Sequence, residues 1–325
     1  MHCTRPTRSR SSRANPACTR STDPIIAARS RWPASASTPR RSRRRRGAWW
    51  TRPCSTLPSS RGRAIFHKGL AGSVGIVGGA DGMVGAALLA GRAALRVGAG
   101  KVFVGLLAAQ PPQVDAGQLE LMLRDPGALL SEVPLSALAI GPGLGVATAA
   151  EQLLAQSLRM ARPIVVDADA LNLIAQQPAL QAAVAARAAA TLLTPHPAEA
   201  ARLLGRSSAE VQADRIAAAR AIAARLTSWV ALKGNGTVIA APDGRWWVNT
   251  SGNPGMAGAG MGDVLTGMIA SLLAQGLDAE RALVAGVYLH AAAADAAAAS
   301  GIGPVGLTAS EIVDPARTLL NRAGG

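Results

Sequence analysis

Short apolar runs and Ala-rich helical stretches alternate along most of this chain. Residues 73–77 (SVGIV) predict a buried strand, followed by a glycine turn and a helix over 84–97. The run 101–105 (KVFVG) predicts the next strand, and 137–140, 164–166 and 191–193 predict three more. Each of those three leads into a loop with Gly, Asp or His and then a helical pattern. Strands alternating with helices in this way predict a mostly parallel sheet covered by helices. Towards the end, 230–232, 237–240 and 246–248 are short strands separated by Gly and Asp turns, a meander expected on the sheet's edge. Two long helices, over 260–275 and 279–299, are expected to close the body.

The pattern begins at His67-Lys68-Gly69, which divides the chain into an arm over 1–66 and one domain over 67–325. The arm consists mostly of Arg, Ser, Pro and Thr, with seven prolines that oppose a long helix, and it is expected to be disordered. The formal charge of +15 belongs to this end, since residues 1–68 carry 17 Lys and Arg against Asp23 alone, while 69–325 sum to −1. Four readings of the arm compete. The run RSRRRR over 41–46 with Trp49 and Trp50 suits nucleic acid, the composition suits a transit peptide, and a solvated tail is the plain alternative. The favoured reading is a GC-rich gene translated out of frame, with the true upstream sequence missing. Nucleic acid is accordingly not an expected partner. All three cysteines, Cys3, Cys18 and Cys54, lie in the arm, so the body has neither disulfides nor a thiolate metal site, and the cytoplasm is the default compartment. No membrane span is expected, because His290 and Asp295 interrupt the most apolar stretch.

In open α/β sheets ligands lie beyond the carboxyl ends of the strands, and six motifs fall there. GGADGMVGAA (78–87) and GPGLG (141–145) each read either as ligand loops or as plain strand-to-helix turns. In DADALN (167–172), Asp167 suits a ligand hydroxyl or a metal-bound water, and Asp169 is expected to cap the next helix. TPHPAE (194–199) holds His196 in a stiff loop between two prolines, with Glu199 in the first turn of a helix. KGNGT (233–237) is explained by a type I′ hairpin with Asn-Gly at its tip, although Lys233 and Thr237 would suit a phosphate. GNPGMAGAGMGDVLTG (252–267) is the most specific of the six. Six glycines in sixteen residues before a long helix expose backbone N–H groups to a phosphate, with Asp263 placed to take a hydroxyl proton.

These motifs, in this order, resemble the ADP-dependent NAD(P)H-hydrate dehydratases of the ribokinase-like superfamily, and the resemblance covers the chain from His67 to about Leu320. It implies a three-layer α/β/α fold with a mostly parallel central sheet. The activity implied is nicotinamide-nucleotide repair: ADP phosphorylates the S-epimer of hydrated NADH or NADPH (NADHX, NADPHX), and elimination of phosphate restores the reduced nucleotide, giving AMP. By position, Ala86, Gly143, His196 and Asp263 would bind the hydrate, while Lys233, Gly234, Asn235, Gly236, Thr237 and Gly262 would bind ADP or AMP. Asp263 would be the base. Mg2+ would bridge the phosphates, with Glu199 and Asp167 taking part only through water. The resemblance also implies a homo-oligomer, such as a tetramer, and an NAD(P)H-hydrate epimerase as working partner. Ala257-Gly258-Ala259-Gly260 departs from the usual Ala-Thr-Gly-Gly or Ala-Ser-Gly-Gly, losing a hydroxyl and gaining a methyl. The runner-up is a small-molecule kinase of the same fold acting on a vitamin alcohol, since the Asp263 motif serves either chemistry.

Overall fold

The computed structural model describes residues 71–323. The arm and His67-Lys68-Gly69 lie outside the described residues. The sheet is built from β1 (Ser73–Gly78), β2 (Lys101–Leu106), β3 (Met122–Arg124), β4 (Ala137–Ile140), β5 (Ile164–Val166), β6 (Thr191–Leu193), β7 (Trp229–Leu232), β8 (Val238–Ala240) and β9 (Trp246–Val248). Its order is β3-β2-β1-β4-β5-β6-β7-β8-β9. The first seven strands run parallel, while β8 and β9 are added antiparallel at one edge, where the meander was expected.

Between strands the chain forms α1 (Val84–Arg96), α2 (Pro126–Glu132), α3 (Thr148–Leu158), α4 (Ala168–Gln176), α5 (Pro178–Ala185), α6 (Pro197–Leu204), α7 (Ser208–Ala213) and α8 (Arg215–Arg225). After β9 come α9 (Met261–Ala274), α10 (Ala279–Ala299) and α11 (Val313–Ala323). The alternation of side chains along each strand divides the core between two faces. Val74, Ile76, Val165 and Leu192 join α1, α9, α10 and α11 on one side. Val77, Ile164, Val166 and Leu193 join α2 to α8 on the other. The result is the expected three-layer α/β/α arrangement.

Three points of the fold add to the sequence reading. β3 is only three residues long, carries no fully buried side chain and sits on the sheet's edge, so it leaves little hydrophobic signature. α11 follows α10 as a further helix, packed on it and on α1. Finally, α10 is long and apolar enough by length and composition to cross a membrane, but it is a core helix, covered by α9, α11 and the sheet.

Candidate active site

The first two glycine loops are joined backbone to backbone at the ends of the neighbouring strands β1 and β4. The N–H of Gly79 donates to the carbonyl of Pro142 at 3.0 Å, and that of Ala80 to Gly143 at 2.7 Å. A Cβ on Gly78 would stand 2.0 Å from the Pro142 carbonyl oxygen, so only glycine allows this approach. A Cβ on Gly143 would lie 3.2 Å from the Cβ of Ala86, so these two candidate residues are close neighbours across the joined loops. Asp169, expected to cap α4, instead accepts from the N–H of Gly145 at 2.9 Å. Asp167, whose side chain makes no cap bond, occupies the N-cap position. Two residues further along the chain, Asp169 thereby ties α4 to the second glycine loop.

At the ends of β5, β6 and β7 the charged residues converge. Asp167 is buried, with 1% exposure, and its Oδ1 lies 2.6 Å from Nζ of Lys233. Its Oδ2 accepts from the Thr266 hydroxyl at 2.8 Å. Burial pushes the Asp167 carboxyl up, but the charge and hydrogen bond of Lys233, with Thr266 and Thr194, hold it below the usual carboxylate range. Burial pushes the Lys233 ammonium down, and Asp167, Glu199 and Asp263 outweigh it and raise the group. His196 caps α6: its Nδ1 accepts from Ala198 and Glu199, while Glu199 Oε2 accepts from the His196 N–H at 2.7 Å. Glu199 Oε2 also stands 4.0 Å from Lys233 Nζ.

The Lys233–Thr237 segment is not a two-residue type I′ hairpin. Leu232 pairs with Val238, so five residues join the strands. Positive φ falls on Gly234 and Gly236, not on Asn235 as a type I′ turn requires. The segment is held from outside: the Lys233 N–H donates to the Pro195 carbonyl at 2.8 Å. The Arg215 guanidinium meanwhile donates to the carbonyls of Leu232, Lys233 and Asn235. Lys233 points to Asp167, while the Thr237 hydroxyl turns back to the Gly234 carbonyl at 3.3 Å.

The long glycine-rich stretch leads into α9 as expected. Gly260 takes a left-handed conformation at the N-cap with no side-chain cap, so the N–H groups of Met261, Gly262 and Asp263 open the helix uncapped. A Cβ on Gly262 would stand 3.2 Å from Lys233 Nζ and 3.4 Å from Asp167 Oδ2, which brings the first turn of α9 onto the ion pair. Burial and the charge of Asp167 raise the Asp263 carboxyl to about 7, with Lys233 opposing. Among the described residues no side chain hydrogen-bonds to it. A carboxyl of this kind, beside uncapped helix amides and a lysine, can accept a proton near neutral pH while an anion sits on the amides.

Several contributors carried no role in the sequence reading. Thr266 stands three residues after Asp263, and its polarity in an apolar helix was the available signal. On α10, Asp295 accepts from the Gly252 N–H at 2.8 Å and from Asn253 Nδ2 at 3.1 Å, anchoring the start of the glycine-rich stretch. His290 is also buried on α10, and its Nε2 has no hydrogen-bond partner among the described residues. Burial pushes its pKa down to about 4 despite a hydrogen bond to the Met261 backbone.

Among the described residues, no three His, Cys, Asp or Glu side chains converge as metal ligands. Both oxygens of Asp167 are already engaged, and Glu199 serves the His196 loop and faces Lys233. The described side chains therefore form no cage for a divalent cation.

Comparison with known proteins places the chain in a family. Residues 74–315 match the family model described as NAD(P)H-hydrate dehydratase. The chain is 47% identical over 259 residues to an ADP-dependent (S)-NAD(P)H-hydrate dehydratase of Neisseria meningitidis, covering 79% of this chain and 87% of that one. It is 42% identical to a bifunctional NAD(P)H-hydrate repair enzyme of Coxiella burnetii, of which it spans 51%. A crystal structure of the ADP/ATP-dependent NAD(P)H-hydrate dehydratase of Bacillus subtilis, grown with ATP and Mg2+, superposes with a TM-score of 0.72 at 34% identity. That match covers 83% of this chain and 96% of the other. The chain belongs to the NAD(P)H-hydrate dehydratase family.

Proposed function

We propose that this protein carries out the ADP-dependent dehydration of the S-epimer of NADHX and NADPHX, returning NADH or NADPH with AMP and phosphate. The observation that carries the reading is the juxtaposition of three features at the strand ends: the uncapped amides of α9, the Lys233–Asp167 pair and a carboxyl, Asp263, that titrates at about 7. The β-phosphate of ADP lies against the N–H groups of Met261, Gly262 and Asp263, with Lys233 beside it. Lys233, Gly234, Asn235, Gly236 and Thr237 line the nucleotide. Ala86, Gly143 and His196 hold the hydrate across the joined glycine loops.

In this reading, Asp263 takes the proton of the hydrate's hydroxyl as that oxygen bonds to the β-phosphorus. The bond from phosphorus to the bridging oxygen breaks, and AMP leaves. The phosphate then departs from the ring with the proton of the adjacent carbon, restoring the double bond. Mg2+ would enter with the nucleotide and offset its phosphate charge, since the described side chains form no cage for it. On family grounds the protein is a cytoplasmic homo-oligomer that works with an NAD(P)H-hydrate epimerase.

The test is the recovery of absorbance at the reduced-nicotinamide band when the protein meets chemically hydrated NADH, Mg2+ and ADP. Recovery that requires ADP and forms AMP is expected. A folded protein that binds ADP without recovery, yet turns a vitamin alcohol into a stable phosphate ester, would replace this reading with the small-molecule kinase. A likeness to a hydroxyethylthiazole kinase of Pyrococcus horikoshii, 15% identical with a TM-score of 0.53, speaks only to the shared fold.

A further inference from the structure

Asp167 is the most enclosed acid of the site. It sits at the end of β5, 1% exposed, and both its oxygens are bound by residues far away in sequence: Lys233 from the end of β7 at 2.6 Å and Thr266 from α9 at 2.8 Å. A buried carboxylate with so complete a set of partners is fixed in place. Thr266 lies one helical turn beyond Asp263, so both occupy the same side of α9. Gly262 completes the arrangement, since a Cβ there would fall within 3.4 Å of both members of the ion pair.

We propose that Asp167 is a positioning residue of the reaction: it never touches substrate, but it aims the Lys233 ammonium at the first turn of α9 and anchors that end of the helix through Thr266 in the turn that follows. The inference rests on the proposed phosphoryl-transfer reading for its kinetic consequences, though not for its structural ones. The charged groups around Asp263 are Asp167 from the end of β5, Asp169 from α4 and Lys233 from the end of β7. Lys233 is faced in turn by Glu199 of α6, and it acts on His290 of α10. Of the charges on Asp263, that of Asp167 has the largest effect.

Asp167→Asn keeps the shape and an acceptor for Thr266 but removes the charge. In the full chain it is expected to lower turnover about a hundredfold, the scale of a small misplacement of a reacting group, while ADP affinity by calorimetry changes far less. The titration midpoint of Asp263, followed by carboxyl 13C NMR, is expected to move to lower pH. A folded variant with turnover within about threefold of wild type and an unmoved Asp263 midpoint overturns the proposal. If Asp167→Asn fails to fold, Thr266→Val is read by the same two measurements. It is expected to disturb both, with Thr266→Ser restoring them, and wild-type behaviour of both Thr266 variants overturns the proposal. Should the wild-type protein show no dehydratase turnover, the proposed activity fails on its own evidence, and the NMR titration still decides the role of Asp167.

Discussion

The hydroxyl of Thr266 lies 2.8 Å from Oδ2 of Asp167, joining residues 99 positions apart and tying α9 to the end of β5. On its other oxygen Asp167 holds Lys233. Removing one member of such a buried pair leaves the other charge without compensation. Lys233→Met is therefore expected to cost about 3–5 kcal/mol of folding stability. Urea unfolding checks this, and the double variant Lys233→Met/Asp167→Leu should recover most of the loss. A single-variant loss below about 1 kcal/mol would place the pair among weakly coupled surface pairs.

Asp263 carries the clearest pH signature. With its carboxyl at about 7, the acid limb of kcat/KM is expected near neutral pH. Asp263→Asn should abolish that limb and lower turnover by several powers of ten while ADP still binds. Near-normal turnover in this variant would remove Asp263 as the base.

The same group shapes stability. Its folded pKa lies above the ordinary 3.8, so between about pH 4 and 7 the folded state binds the extra proton and stability falls as pH rises. His290 acts oppositely: lowered from 6.5 to about 4, it binds fewer protons when folded, and stability rises with pH across that window. The two slopes nearly cancel in the wild-type protein. Asp263→Asn removes one of them, so its stability relative to wild type is expected to rise with pH by about 1.4 kcal/mol per unit between pH 4.5 and 6.5. Parallel curves for the two proteins, measured by denaturant unfolding, would contradict the raised carboxyl.

Gly262→Ala separates packing from binding. The new methyl would meet Lys233 Nζ at 3.2 Å, so the ammonium must yield, whereas the helix itself gains from alanine. Stability is expected to stay within about 1 kcal/mol and ADP affinity to fall about tenfold, or about 1.4 kcal/mol. Calorimetry decides this, and unchanged affinity would detach Lys233 from the nucleotide.

Asp295→Ala removes the acceptor for the Gly252 N–H and Asn253 Nδ2. The expected result is a loss of about 1–3 kcal/mol of stability and a raised KM for ADP with a smaller change in kcat. An unaltered KM would mean that the glycine-rich stretch holds its shape without α10.

The chain's own pattern determined most of the sheet, most of the helices around it and the loops where chemistry gathers. Short apolar runs, Ala-rich helical spacing and glycine-dense turns are local properties, and they persist into the fold. Asp263 and Lys233 were legible as candidates for the same reason, each standing in a motif with its own local geometry. What only the tertiary structure decided was partnership. Asp167 bonds to Thr266 and Lys233, Asp169 to Gly145 and Asp295 to Gly252, pairings across 24 to 99 positions that no local spacing encodes. The Lys233–Thr237 turn likewise follows Arg215 and the Pro195 carbonyl rather than its own Asn-Gly preference, because three hydrogen-bonded carbonyls outweigh a turn propensity. The proton affinity of Asp263 is of the same kind: burial and a neighbouring carboxylate raise it, and both exist only once β5, β7 and α9 meet.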